Sequence, residues 1–156
     1  VKRFRPIHGV LLVAVLMAAV LGAERLLSKN RNRYERVAPD PRSEVVVDVG
    51  TLAPLQIRYF RFLNSGNQEV KFFIARDERG GLQVAFDASE SDFKLKRGFR
   101  LDGTWIVNNK CTTSFHLSEV NDHPSGCAPV PLPFRAEQDR VVLAEADILG
   151  GWRYFR

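Results

Sequence analysis

LQIRYFRFLNSGNQEVKFFIARDERGGLQVAFDA, residues 55–88, is the stretch on which the fold turns. Three runs of β-branched and aromatic residues are separated by NSGNQ and DERGG, joints of hairpin length whose Asn, Asp and Gly suit tight reversals. The spacing predicts three antiparallel strands in a meander, over residues 55–63, 69–76 and 82–88. In the second run Val70, Phe72 and Ile74 alternate with Glu69, Lys71 and Phe73; in the third Leu82, Val84 and Phe86 alternate with Gln83, Ala85 and Asp87. Side chains alternate across a strand, so a period of two predicts one buried face.

Further strands are expected on either side. SEVVVDVG (43–50) predicts one before the meander, GTWIVNN (103–109) one around Trp105, and DRVVLAEADILGG (139–151) one around Val141 followed by a helical turn; WRYFR closes the chain. There is no internal repeat and no low-complexity tract. With eleven Phe, two Trp and three Tyr, a domain of about 110 residues can bury a sufficient core without metals or cross-links. The fold class expected is mainly β, an antiparallel meander with some α.

Upstream the texture differs. PIHGVLLVAVLMAAVLGA, residues 6–23, contains no Lys, Arg, Asp or Glu, and as a helix it would reach roughly 27 Å, close to the hydrocarbon thickness of a bilayer. Lys2, Arg3 and Arg5 precede it and Arg25 follows, where long basic side chains reach both headgroup layers. A cleavable signal peptide shares this layout, with small residues for a cut after Gly22 or Ala23; the expectation adopted is a retained single transmembrane helix over 6–27. The division expected is therefore a basic tail (1–5), the helix (6–27), a polar stalk (28–42) with Pro39 and Pro41 near its end, and a β-rich globular domain (43–156).

Charge separates the same two parts. The chain carries a formal +5, yet residues 1–37 hold 8 Lys and Arg against 2 Asp and Glu, whereas residues 38–156 hold 15 against 16. Basic charge beside an apolar span serves lipid contact and topology rather than phosphate readout, so nucleic acid is excluded as a partner. Three basic residues lie before the span and five in the fourteen residues after it, so the positive-inside rule does not decide orientation. The short basic start is that of a signal anchor, which places the N-terminus in the cytoplasm and the domain outside.

DASESDF (87–93), RGFRLDGTWIVNNKC (97–111) and SGCAPVPLPF (125–134) follow one another in an order that resembles a family of bacterial and archaeal membrane-anchored, cysteine-rich domains described as iron-sulfur membrane proteins and found near iron-uptake permeases. The family pattern runs VALDACxxC, KGYRxEGxxxVCNNC and GGCNPxPLP, and the resemblance covers about residues 55–155. Laid over it, the family's cysteines fall on Ser89, Asp92, Asn108, Cys111 and Cys127 of this chain. A cluster needs about four soft ligands, and three of the five positions hold Ser, Asp and Asn. The shaping residues Gly98, Gly103, Gly126, Pro129, Pro131 and Pro133 stay in place. The resemblance thus implies a retained fold with its coordination set depleted, and no bound cofactor is expected.

Several smaller signals have a functional reading beside a structural one. Cys111 and Cys127 would close a loop of about sixteen residues, for which a disulfide contributes about 3 kcal/mol; outside the cytoplasm pairing is the expectation, with two thiols or a metal or haem role as alternatives. The metal alternative would recruit Cys111, His116, His123 and Cys127, at a spacing that matches no standard zinc motif. Ser89, Asp92 and His116 could be read as a hydrolytic trio but lack a nucleophile-elbow context. Asp87, Glu90 and Asp92 could attract a hard cation, though a solvated acidic turn is the expected role. His8, at the edge of the span, could ligate a haem or pigment but is expected to be an interfacial polar side chain. Ala14, Ala18 and Gly22 recur every fourth residue and would let a second transmembrane helix approach closely.

The expectation is a non-enzymatic accessory or scaffold subunit of a larger membrane complex, respiratory or photosynthetic, held in a bacterial inner membrane with its domain in the periplasm. Its partners would be integral membrane subunits and the bilayer. The alternative, implied by the resemblance, is a metal-binding or redox protein linked to iron handling.

Overall fold

The structure is a computed structural model, and it describes residues 15–17, 33–91, 93–122 and 126–156. The transmembrane helix expected over 6–27 lies outside the described residues except for residues 15–17, which are helical and exposed. Among the described residues no helix is long and apolar enough to cross a membrane. His8, Ala14, Ala18 and Gly22 also lie outside them. A separate compact unit spans Tyr34–Arg156.

The predicted meander forms. Strands β3 (Gln56–Leu63), β4 (Glu69–Arg76) and β5 (Leu82–Ser89) pair antiparallel in sequence order. They are the middle of a five-stranded sheet completed by β1 (Tyr34–Val37) and β9 (Pro129–Pro131), in the order β1-β3-β4-β5-β9. β1 runs parallel to β3, with Tyr34 opposite Tyr59 and Val37 opposite Phe62, so residues 34–37 belong to the domain rather than to the stalk expected over 28–42. Arg58 on β3 fastens that edge. Its guanidinium grips both carboxylate oxygens of Glu35 at 2.9 and 2.7 Å and donates to the Asp48 carbonyl at 2.6 Å. The Arg58 hydrogen bond holds the Glu35 carboxyl below its ordinary value of 4.5, and the same bond raises Arg58.

Two three-stranded sheets flank this one. β2 (Glu44–Asp48), β10 (Arg135–Glu137) and β11 (Arg140–Ala144) form one in the order β10-β11-β2; β6 (Phe99–Asp102), β7 (Trp105–Asn108) and β8 (Ser114–His116) form the other. Val45, Val47, Val141 and Leu143 join Phe60, Phe62, Phe72, Ile74, Val84 and Phe86 in one buried cluster. Phe99, Ile106 and Leu117 join Tyr59, Phe73, Ala75 and Ala85 in a second. The two sets alternate residue by residue along β3, β4 and β5, so the meander is buried on both faces. This corrects the expectation of one buried face. The alternate residues include Phe73, Ala75 and Ala85, apolar positions that β6 and β7 cover.

The helical turn expected after Val141 is the helix Glu145–Gly150, followed by a 3-10 turn at Trp152–Tyr154. Between them Gly151 lets the chain press onto the Phe86 ring: a Cβ there would come within 2.2 Å of it.

Candidate functional site

Three segments meet beyond the end of β5: the strand's last residues, the turn between β7 and β8, and the loop leading into β9. Ser89 closes β5, buried and in register with Pro129. Two residues on, the Ser91 backbone N–H donates to the Gly126 carbonyl at 3.1 Å. Asn108 closes β7, also buried. Its side-chain amide donates to the Cys127 carbonyl at 3.0 Å, and its side-chain oxygen accepts from the Lys110 N–H at 2.9 Å. The Asn108 carbonyl accepts from the Thr112 N–H at 3.0 Å. One asparagine therefore shapes the turn carrying Cys111 and ties β7 to the loop carrying Cys127.

Both cysteines are half-buried, and no bond joins their sulfurs in this structure. The Thr113 hydroxyl donates to Cys111 Sγ at 3.2 Å, and Ser91 Oγ lies 3.9 Å from Cys127 Sγ. Asp92 and His123 lie outside the described residues.

Beside this junction stands Asp87, expected from the sequence in a solvated acidic turn. It is instead buried, 4% exposed. One carboxylate oxygen accepts the Phe99 N–H at 2.7 Å and the other accepts the Tyr34 hydroxyl. The reason is the parity of β5: Gln83, Asp87 and Ser89 share the face of Ala85, which β6 and β7 cover. The approach also requires Gly98. Its φ is +62°, and a Cβ there would stand 2.4–2.6 Å from the Asp87 carboxylate atoms. An Asp inside an apolar run, with a glycine preceding the next strand, is the sequence signal for this pairing.

Asp87, Ser89, Asn108, Lys96 and Lys110 line a cavity of about 240 Å³ together with aromatic rings that include Phe93 and Tyr154. His116 is elsewhere. It pairs with Trp105, at the opposite end of β7 from Asn108, and its ring stands edge-on to Trp105 at 5.2 Å. Its Nδ1 is 2.8 Å from Ser118 Oγ and its Nε2 is 3.9 Å from Glu78. The structure thus places Ser89, Asn108 and Cys127 at the junction and His116 at the other end of β7. Among the described residues, no three of His, Cys, Asp and Glu are grouped to hold a metal ion.

The iron-sulfur cluster implied by the resemblance can be tested against these donors. A cluster held by the chain asks for about four thiolates, and the sequence has two cysteines. Asn108 offers no substitute, because both ends of its amide are committed to the backbone at Cys127 and Lys110. Ser89 supplies a hydroxyl in place of a soft thiolate. The residues present do not fit the group.

Ser89 ends one strand, Asn108 ends another, and Cys127 lies in the loop before the PVP strand. Neither a curated protein nor a solved structure matches the chain. Residues 52–155 match the family model described as membrane iron-sulfur containing protein FtrD-like, and on that match, which takes in well over half of its length, this chain belongs to the FtrD-like family of membrane iron-sulfur containing proteins.

Proposed function

We propose that this chain is a non-enzymatic, membrane-anchored accessory subunit that uses the FtrD-like fold for adhesion within a larger membrane complex, an energy-transducing one of respiratory or photosynthetic type. The observation that carries this reading is Asn108. At a position where the resemblance implies a cysteine, its amide bonds both neighbouring segments and closes the junction with hydrogen bonds. A fold kept while one position of its coordination set is taken by a backbone-binding asparagine serves through its surface. In this reading residues 6–27 cross the inner membrane once, Ala14, Ala18 and Gly22 meet a partner helix, and the domain stands in the periplasm, where Cys111 and Cys127 pair under oxidising conditions.

Metal chemistry supplies the test. The full chain in mild detergent, treated anaerobically with ferrous iron and sulfide and then desalted, should hold no stoichiometric iron or labile sulfide and stay colourless. From native membranes it should migrate with integral subunits of one defined assembly. A second reading has its own support in family membership and in the two retained cysteines: a metal-binding or redox protein linked to iron handling. Stoichiometric iron that disappears in Cys127→Ser would establish that reading and overturn the first.

A further inference from the structure

Two short segments carry basic charge out of proportion to the rest of the domain. FKLKR (93–97) places Lys94, Lys96 and Arg97 around Leu95, and WRYFR (152–156) interleaves Arg153 and Arg156 with aromatic rings. Together they hold five of the 15 Lys and Arg between residues 38 and 156, a span with 16 Asp and Glu. All five are exposed.

The fold brings the segments together. Phe93 meets Tyr154 edge-on, with centroids 6.0 Å apart, and Phe93, Lys94, Arg153, Tyr154, Arg156 and Glu90 line one open groove. Arg156 lies over the Trp152 ring at 4.5 Å; Arg153 lies over the Tyr154 ring at 4.8 Å and donates to its hydroxyl at 2.7 Å. Amid this charge Leu95 is 50% exposed and Trp152 39%.

We propose that this surface docks on the anionic headgroups of the membrane that bears the protein. A basic cluster attracts anionic lipid within a Debye length of the surface, while indole rings settle at headgroup level and a lone leucine can dip below it. Charge alone would suit an acidic protein equally well. The exposed Leu95 and Trp152 favour lipid, and membership of a membrane family keeps a bilayer at high effective concentration. The proposal rests on membrane association and is independent of the accessory role.

The test uses the full chain in lipid nanodiscs, in a Trp105→Phe background that leaves Trp152 as the sole tryptophan. Discs of phosphatidylcholine alone are compared with discs containing phosphatidylglycerol, each with brominated acyl chains as quencher. Trp152 should be quenched in the anionic discs only, and salt at 1 M, where the Debye length falls to about 3 Å, should relieve it. Reversal of Lys94, Lys96 and Arg97 to Glu should lower the docked-to-undocked ratio by more than about tenfold. The matched reversal of Arg42, Arg79 and Arg140, exposed and outside both segments, should leave the ratio unchanged. Circular dichroism checks that both triple variants fold. Equal or salt-insensitive quenching in the two discs would overturn the proposal, as would no quenching in either. A response to soluble polyglutamate with none to phosphatidylglycerol would assign the surface to an acidic protein and overturn it as well.

Discussion

The two faces of the central sheet are built from the same three strands and do different things. The face toward β2 and β11 is filled by Phe60, Phe62, Phe72, Ile74, Val84 and Phe86, with Phe60 stacked on Phe72 at 5.3 Å. The face toward β6 and β7 has Tyr59, Phe73, Ala75 and Ala85, and it also buries Gln83, Asp87 and Ser89. Burial of apolar area makes the first face the main source of stability. The second spends part of its area on polar groups that need specific partners, and those partners position the junction around Asn108 and Cys127. Polar groups in a low-dielectric interior fix geometry because each misplaced donor or acceptor is costly.

Substitutions can sharpen or break this contrast. Phe72→Ala should have the largest effect, about 3–5 kcal/mol lost in urea unfolding, because its fully buried ring leaves a cavity. Gly98→Ala should cost about 3 kcal/mol, since a positive φ and a clash with Asp87 act together. A cost below that of an ordinary surface change would show that the Asp87 contact yields without strain.

Asp87→Ala removes the acceptor for the Phe99 N–H and the Tyr34 hydroxyl, and about 2 kcal/mol should be lost. If the second face were only another core, the apolar exchange Asp87→Leu would instead be neutral in the same unfolding assay. Asn108→Ala should cost about 1–2 kcal/mol, and amide exchange should rise at Lys110, whose N–H loses its acceptor.

The smallest effect belongs to the solvated edge. Glu35 has its pKa lowered in the fold by Arg58, so its contribution is present above the ordinary value of 4.5 and is lost as pH falls through the lower folded value. Both side chains are substantially exposed, at 49% and 31%, so Glu35→Gln should remove only a few tenths of a kcal/mol at neutral pH. Thermal unfolding of the variant should show a weaker decline between pH 5 and 3 than the parent.

The amino-acid order by itself determined the meander, the strand before it, the strand around Trp105 and the closing strand and helix. Those elements follow from local physics: period-two hydrophobicity, Asn-, Asp- and Gly-rich reversals, and β-branched runs. It also determined that thiolates are too few for a cluster, because that is a matter of counting. The remaining strands carry weaker local signals: Phe99–Asp102, Ser114–His116 and Arg135–Glu137 are short and rich in polar residues, Pro129–Pro131 has two prolines, and Tyr34–Val37 lies amid basic residues.

Only the tertiary structure decided that the meander is covered twice, that Asp87 and Gly98 form a latch, that Asn108 closes the junction, and that FKLKR meets WRYFR. Each of these joins residues from different strands or loops, and no local periodicity records which alternate face a distant sheet will cover. Asp87 has the same chemistry on a solvated turn or beneath a sheet. What distinguishes the two is the arrival of Tyr34 and Phe99 from far along the chain to satisfy its two oxygens.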